Sequence, residues 1–421
     1  MNENYGMPKH WQIKKLGEVC DVLDNLRKPI NSTERQQRIA GKSQRELYPY
    51  YGATGQVGWI DSYLTDGDFI LIGEDGAPFL DIYKDKAYKI KGKTWVNNHA
   101  HILKGKKEFI LDDFALYYLN SINYREFVNG TTRLKLTKSN LIDIPFVVPP
   151  LPEQQAIVAK IEELLSDLEN GKQQLQTAQQ QLIVYRQSLL KWAFEGKLTN
   201  KKVKDGELPK GWKWVKLNDV CKIIGGVTKG KDLKGKASIH LPYLRVANVQ
   251  DGYLDLRQIK TIEVLPSDKE KYQLLLGDIL YTEGGDKDKL GRGTIWKNEI
   301  KDCIHQNHIF RARPLTKDIN SKYIAYFSQT RAAKNYFFKH GKQTTNLASI
   351  NLTILSNLPL PLCAIKEQQL IVDELESKLT VCDKIEETIS QSLQQAETLR
   401  QSILKKAFEG KLINCELKIT N

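Results

Sequence analysis

His99 and His101 stand two residues apart, and Gly230-Lys-Asp-Leu-Lys-Gly-Lys-Ala237 comes within one residue of a phosphate-binding loop. Two imidazoles so close together can ligate a transition metal. A glycine-rich loop closed by Lys-Ser/Thr cradles a nucleoside triphosphate and its Mg2+. Neither pattern is complete. Ala237 lacks the hydroxyl that would hold the metal, no clear apolar strand runs into the loop, and no long helix follows it. The segment therefore reads as a basic loop. Where the first half of the chain has Asn98-His99-Ala-His101, the second has Asn307-His308-Ile309 with one histidine. That favours a structural or DNA-facing role over a metal site. The sequence holds no G-x-S-x-G, no H-E-x-x-H, no dinucleotide fingerprint and no Asn/Asp-Pro-Pro-Tyr/Phe. It points to no bond-making chemistry of its own.

What it offers instead is side chains that can read bases. Arg and Lys pair with guanine edges, Asn and Gln with adenine edges. The first half carries Arg27, Lys28, Tyr51, Thr54, Asn97, Asn98, His99 and Arg133 in its polar segments. The second carries Lys229, Lys231, Arg245, Asn248, Lys289, Arg292, Gln306 and Asn307, then Lys342, Gln343, Thr344 and Asn346. For any one of them, contact with phosphate or plain surface is the commoner role.

Charge supports a polyanionic partner. Net charge is +13 over 421 residues. Residues 1–150 hold 21 Lys/Arg against 18 Asp/Glu, and residues 201–365 hold 29 against 16. Residues 151–200 (5 against 6) and 366–421 (8 against 10) are slightly acidic. Basicity concentrated in the second globular segment is the footprint of a nucleic-acid surface. It argues against a helical adaptor or scaffold without DNA specificity, the competing reading. A nuclease or methyltransferase with an unrecognised site is a third; methyl transfer by the chain alone would reveal it.

These side chains must be positioned, and the positioning elements are duplicated. Arg186-Gln-Ser-Leu-Leu-Lys-Trp-Ala-Phe-Glu-Gly-Lys-Leu198 returns as Arg400-Gln-Ser-Ile-Leu-Lys-Lys-Ala-Phe-Glu-Gly-Lys-Leu412, with eleven of thirteen positions identical. Internal repeats decide architecture before any local reading. Pro8-Lys-His-Trp11 matches Pro209-Lys-Gly-Trp212, Gly67-Asp68 matches Gly277-Asp278, and Thr131-Thr132 matches Thr344-Thr345. Ile144-Pro145 and Glu153-Gln-Gln155 return as Leu358-Pro359 and Glu367-Gln-Gln369. The arms match closely and the domains only at anchor points, as expected of one fold that binds two different things. The boundaries read as a domain over 1–150, a helical arm over 151–200, a second domain over 201–365 and a second arm over 366–421.

Each arm carries a heptad seam. Ile157, Ile161, Leu164, Leu168, Leu175, Leu182 and Leu189 alternate at spacings of four and three, interrupted at Gly171, with Ala178, Tyr185 and Trp192 in the same series. Ile371, Leu375, Ile385, Ile389, Leu399 and Ile403, with Cys382 and Ala396, supply a poorer partner stripe. Leu379, Leu393 and Leu404 stand beside its polar gaps. Pro152 suits a helix start and Gly196 and Gly410 suit helix ends. From Pro152 to Glu195 the rod would be about 65 Å long. If the second arm runs back along the first, the pair is antiparallel with a pseudo-twofold axis. Short β-type runs at Phe69–Ile72, Ala87–Ile90, His101–Leu103, Tyr243–Val246, Asp278–Tyr281, Thr294–Trp296 and Ile309–Ala312 precede helical stretches at Leu111–Ile122 and Ile319–Gln329, an α+β pattern.

No apolar run approaches the roughly 20 residues of a membrane helix. The start of the sequence lacks the apolar core of a signal peptide, and six cysteines lie far apart without C-x-x-C. A reduced, cytoplasmic protein is expected.

Taken together, these segments resemble the specificity subunit of a Type I restriction–modification system over essentially the whole length. The residues carrying the resemblance are Pro145 to Pro152 running into Glu153-Gln-Gln155 and Ile157-Val158, and Pro359-Leu-Pro361 running into Glu367-Gln-Gln369 and Ile371-Val372. The two Ala-Phe-Glu-Gly-Lys-Leu endings and the Trp11 and Trp212 openings belong to it too. Cys363-Ala-Ile-Lys366 departs from the tighter proline-rich entry of the first arm. The resemblance implies two α/β target-recognition domains in pseudo-twofold arrangement, separated by two long antiparallel coiled-coil helices. It implies a non-catalytic subunit that reads a bipartite double-stranded DNA target, one half-site per domain, with the helices as a ruler for the unread gap. Two methyltransferase subunits would bring S-adenosylmethionine, and two restriction subunits would use ATP and Mg2+. This chain would hold neither cofactor.

Overall fold

The computed structural model describes residues 7–200, 202–204, 206–230, 233, 235–285, 290–343 and 348–413, with the backbone alone at Gln343. Lys231, Lys289, Thr344 and Asn346 lie outside these residues. The chain divides into two compact units, Met1–Gln176 with Ile389–Asn421 and Thr177–Thr388. The division cuts through both arms, so each unit is a globular domain with a half of each long helix.

In the first unit a four-stranded antiparallel sheet runs Cys20–Val22, Ala100–Gly105, Phe69–Gly73, Ala87–Ile90 in spatial order. Its centre is the run Ile70-Leu71-Ile72, fully buried. Successive side chains of a strand point to opposite faces. Ile70 and Ile72 accordingly join the main core with Phe114, Leu119 and Phe146, while Leu71 joins a second cluster with Val96 and Ile102. A strand apolar on both faces has to be covered on both faces. The helix Asp112–Ser121 lies on the first side. A second sheet, Gly55–Ile60, Tyr48–Gly52, Lys93–Val96, Thr65–Asp66, contains one parallel pair, Tyr50 beside Trp95.

The second unit repeats this plan. Cys221–Gly225, Ile309–Pro314, Ile279–Thr282 and Gly293–Ile295 form a sheet in the same spatial and chain order. Ile279 and Tyr281 face the main core and Leu280 a separate cluster around Trp296. A smaller sheet again has one parallel pair, Tyr243 beside Ile304. Each domain is closed by a two-stranded ribbon that joins its opening to its exit: Gln12–Lys15 on Pro145–Val148, and Lys213–Lys216 on Pro359–Leu362.

The arm helices run Leu151–Phe194 and Ile365–Phe408, 44 residues each. Within the first unit Ile157 and Ile161 share a core with Leu404, Ala407 and Phe408, and Lys172 meets Glu397 at 2.7 Å. Within the second, Leu189 and Phe194 share a core with Ile371 and Leu375, and Arg186 meets Asp383 at 2.7 Å. In both units low numbers on one helix meet high numbers on the other, so the segments pair antiparallel.

The seam is narrower than its heptads predict. Ile371, Leu375, Cys382, Ile389, Ala396 and Ile403 are buried, whereas Ile385 and Leu399 are 44% and 50% exposed. On the first helix Ile157, Ile161, Leu182 and Leu189 are buried, Leu164, Leu168 and Leu175 are half-buried, and Tyr185 and Trp192 are exposed. A two-helix contact fully covers about one position per heptad; the other lies at its margin. Leu404, beside a polar gap, is buried against the first domain.

The repeated Ala-Phe-Glu-Gly endings have a packing reason. Phe408 lies edge-on between Phe114 and Tyr118, and Phe194 packs tilted against Tyr323 and edge-on against Phe327. Gly196 and Gly410 adopt φ of 74° and 70°, the left-handed helix-end conformation. A Cβ on Gly196 would stand 2.2 Å from Pro209, and one on Gly410 2.3 Å from Pro8. Each glycine therefore admits the proline that opens a domain.

Candidate nucleic-acid interface

The strands Phe69–Gly73 and Ala100–Gly105 end at a cluster of polar loops. Glu74 N donates to His99 O at 2.7 Å, and Leu136 N donates to Glu74 O at 2.7 Å. Asp75 and Asn129 both bridge to Lys135. Four segments distant in sequence are thereby stitched at one end of the sheet: residues 26–28, 74–76, 97–99 and 129–136.

Arg27 ties them from within. Its guanidinium pairs with Glu74 and with Asp24 (3.0 Å) and donates to Asn98 O and Ala100 O at 3.2 and 3.1 Å. His101 is fully buried, with Nδ1 2.8 Å from Asp24 and Nε2 2.9 Å from Leu136 O. Both ring nitrogens are engaged, so no lone pair remains for a metal. Among the described residues no group of three or more His, Cys, Asp or Glu is placed to hold an ion. Burial works to raise the pKa of Asp24; the hydrogen bond and charge of His101 and the charge of Arg27 outweigh it, and the pKa falls below the ordinary carboxylate range. Glu74 is shifted the same way, burial opposing and Lys135 and Arg27 prevailing.

Above this base stand the exposed groups. His99 Nδ1 lies 2.7 Å from Asp75 Oδ1, and Arg133 Nη2 donates to the same oxygen at 2.7 Å. Lys135 pairs with Glu74 at 3.0 Å. Asn97 is buried; its Oδ1 accepts from His99 N and shapes the turn. Lys28 is exposed beside Val96, whose carbonyl accepts from its amide. Tyr51 O accepts from Asn97 N, and Thr54 is exposed at the tip of the hairpin that follows. All eight first-domain candidates thus gather at one sheet end, Arg27 and Asn97 as supports, Tyr51 half-buried against the cluster of Leu71 and Val96, the others toward the surface.

The second domain builds the same end with different side chains. Glu283 N donates to His308 O and Ile350 N to Glu283 O, matching the bonds of Glu74. Gly284–Gly285, Ala348–Ser349 and Lys342–Gln343 form the ladder that Asp75, Lys135 and Asn129 make by isolated bridges. Lys342 is exposed there, and Glu283 pairs with His308. Arg292 donates to Gln250 at 2.6 Å. Gln306 and Asn307 sit against Val227, two residues before Lys229, and Gln306 N donates to Leu244 O beside Arg245. Gly226 makes that approach possible, since a Cβ would lie 2.0 Å from His305 O. Asn248 is buried, its amide donating to Asp255 O and Gln258 O, and Arg245 Nη2 also donates to Gln258 O.

Asp75, Glu74, Lys135 and Glu283 are absent from the sequence-based candidates. A search for base-reading groups in a basic protein passes over the three acids, and Lys135 stands between Leu134 and Leu136 and does not read as part of a polar loop. The signal was present as Glu74-Asp-Gly76 and Glu283-Gly-Gly285, each just after the repeated Gly-Asp strand. Among the described residues no helix is long and apolar enough to cross a membrane.

The comparisons agree with this duplicated design. The family described as Type I restriction modification DNA specificity domain matches residues 8–177 and 209–395. The EcoKI specificity subunit of Escherichia coli K12 is 30% identical over 315 residues, 73% of this chain and 67% of that one. The HsdS subunit from Thermoanaerobacter tengcongensis superposes with a TM-score of 0.59 at 19% identity, covering 96% and 98% of the two chains. A chain from the structure described as the basis of complex assembly and conformational transition of the type I R-M system gives 0.68 at 19%, covering 96% and 99%. Two matched copies of the specificity domain, spanning most of the sequence, make this chain a member of the Type I restriction–modification specificity family, its non-catalytic DNA-specificity subunit.

Proposed function

We propose that the chain reads a two-part duplex target, each domain taking one half-site through the loop cluster at the end of its central sheet. Family membership implies DNA and the other subunits of a restriction–modification complex as partners. The observation that carries the finer reading is the pair of loop ladders. One backbone frame holds Asp75, Asn129 and Lys135 in the first domain and Gly284, Lys342 and Ser349 in the second. Same frame and different side chains is the arrangement needed to read two sequences. Exposed lysines and arginines, Lys342 among them, supply the sequence-independent hold on phosphate.

The paired helices set the length of the unread gap and dock two methyltransferase subunits, which use S-adenosylmethionine. Two restriction subunits join them with ATP and Mg2+, and the complex works in the cytoplasm. The equal length of the two helices and their antiparallel pairing within each unit support this role.

The test exchanges residues 209–360 for the second domain of another member and reads the target of the assembled complex from a randomised duplex pool. One half-site should change. A change in both, or in neither, contradicts the assignment.

A further inference from the structure

Asp75 is an anomaly on a surface for a polyanion. A carboxylate there repels phosphate whatever the sequence. Yet the second domain, whose other loop residues differ, also pairs an acid with the matching histidine, Glu283 with His308, although Glu283 occupies the position of Glu74. The acid is also set lower than the groups it holds. Asp75 is 19% exposed, His99 40% and Arg133 61%. One oxygen, Oδ1, accepts from both at 2.7 Å, joining side chains from two separate loops.

An ionised carboxylate only accepts, so the His99 proton in this pair sits on Nδ1. In the neutral ring Nε2 is then an acceptor, and it faces away from Asp75. The same contact fixes one edge of the Arg133 guanidinium and leaves its other N–H groups free to donate. An outward acceptor beside an outward donor fork matches an adenine or cytosine amino group next to the O6 and N7 of guanine.

We propose that Asp75 is the positioning residue that sets base preference in the first half-site, by fixing the outward nitrogen of His99 as an acceptor and the fork of Arg133 as a donor. This rests on the half-site reading above. In the second domain the histidine is held instead by Glu283, from the position that Glu74 fills in the first. That difference gives the two domains different preferences from one frame.

The assembled complex, carrying Asp75→Asn, Asp75→Ala, His99→Ala or Arg133→Ala, is used to enrich duplexes from a randomised pool. Asp75→Asn keeps the shape, and its amide nitrogen, turned to donate to Nδ1, makes Nε2 a donor and meets an Arg133 N–H, which frees the fork. It should change the preferred base at one position of the first half-site by about tenfold in discrimination and relax a second. Asp75→Ala should relax two positions, and the exposed His99→Ala and Arg133→Ala one each, with the second half-site intact throughout. If Asp75 only tunes charge, both its variants bind every duplex more tightly and keep the sequence preference, which overturns the proposal. An unchanged preference in all four variants also overturns it while exchange of the whole first domain still alters the half-site. If that exchange alters nothing, the half-site reading itself has failed.

Discussion

Gln154 and Gln368 make the same three hydrogen bonds, one in each unit. Gln154 Oε1 accepts from Leu111 N at 2.9 Å while Nε2 donates to Phe109 O and Pro149 O, both at 2.8 Å. Gln368 Oε1 accepts from Asn320 N at 2.9 Å while Nε2 donates to Asp318 O and Cys363 O at 3.2 and 2.8 Å. Both side chains are buried. One carboxamide thus fastens the start of a long helix to the loop that leads into its domain's helix.

Gln154→Ala leaves buried amide and carbonyl groups without partners, at about 1–3 kcal/mol each. We expect a loss of about 3 kcal/mol in the first unit, and the same in the second for Gln368→Ala. The exposed neighbour Gln155→Ala should stay within about 0.5 kcal/mol. Denaturant unfolding followed by hydrogen exchange in each unit measures this.

Phe408→Ala removes a ring held between Phe114 and Tyr118 and should cost about 3–5 kcal/mol. Amide protection should fall over Asp112–Ser121. Phe194→Ala should act instead on Ser321–Ser328. Equal loss of protection in both units from either variant would contradict the local packing.

The lowered pKa values of Asp24 and Glu74 give the first domain an acid limb. A carboxylate whose folded pKa lies below its unfolded one stabilises fully above the unfolded value, about 4. That contribution is lost as pH falls through the lower, folded value. First-unit stability should therefore drop below about pH 4, and Asp24→Asn should flatten the drop. A pH titration of unfolding for the two proteins decides it.

Lys342 is exposed at the second loop ladder. Lys342→Ala should weaken binding to all duplexes alike and lower the slope of log K against log salt by about 0.9, the value of one phosphate contact. A sequence-dependent loss would make it a base reader instead.

The sequence shows the duplication, the helices and the strand-rich domains plainly, because these rest on local periodicity and direct repetition. Phe194 and Phe408 could be paired from sequence, but not their aromatic partners, which lie in distant parts of the chain. Which half of the heptad stripe is covered was not legible either, since Ile385 and Leu399 have the same residue types and spacing as the buried positions. The candidate site was half legible. Asn98-His99 and Asn307-His308 stood out as anchors. Asp75 did not, because its contacts with His99 and Arg133 are made only by the fold.

The proposed role of the helices in setting the unread gap is testable by length. One heptad added to both arms lengthens each helix by about 10 Å, or about three base pairs at 3.4 Å per step. The unread gap should grow by about that much with both half-sites unchanged.

The most direct measurement is the enrichment of randomised duplexes by the assembled, unaltered complex. Two short preferred blocks, separated by a stretch of fixed length with no preference, are expected if each domain reads one half-site and the helices set the gap. One continuous block, or no preference at all, would contradict that reading.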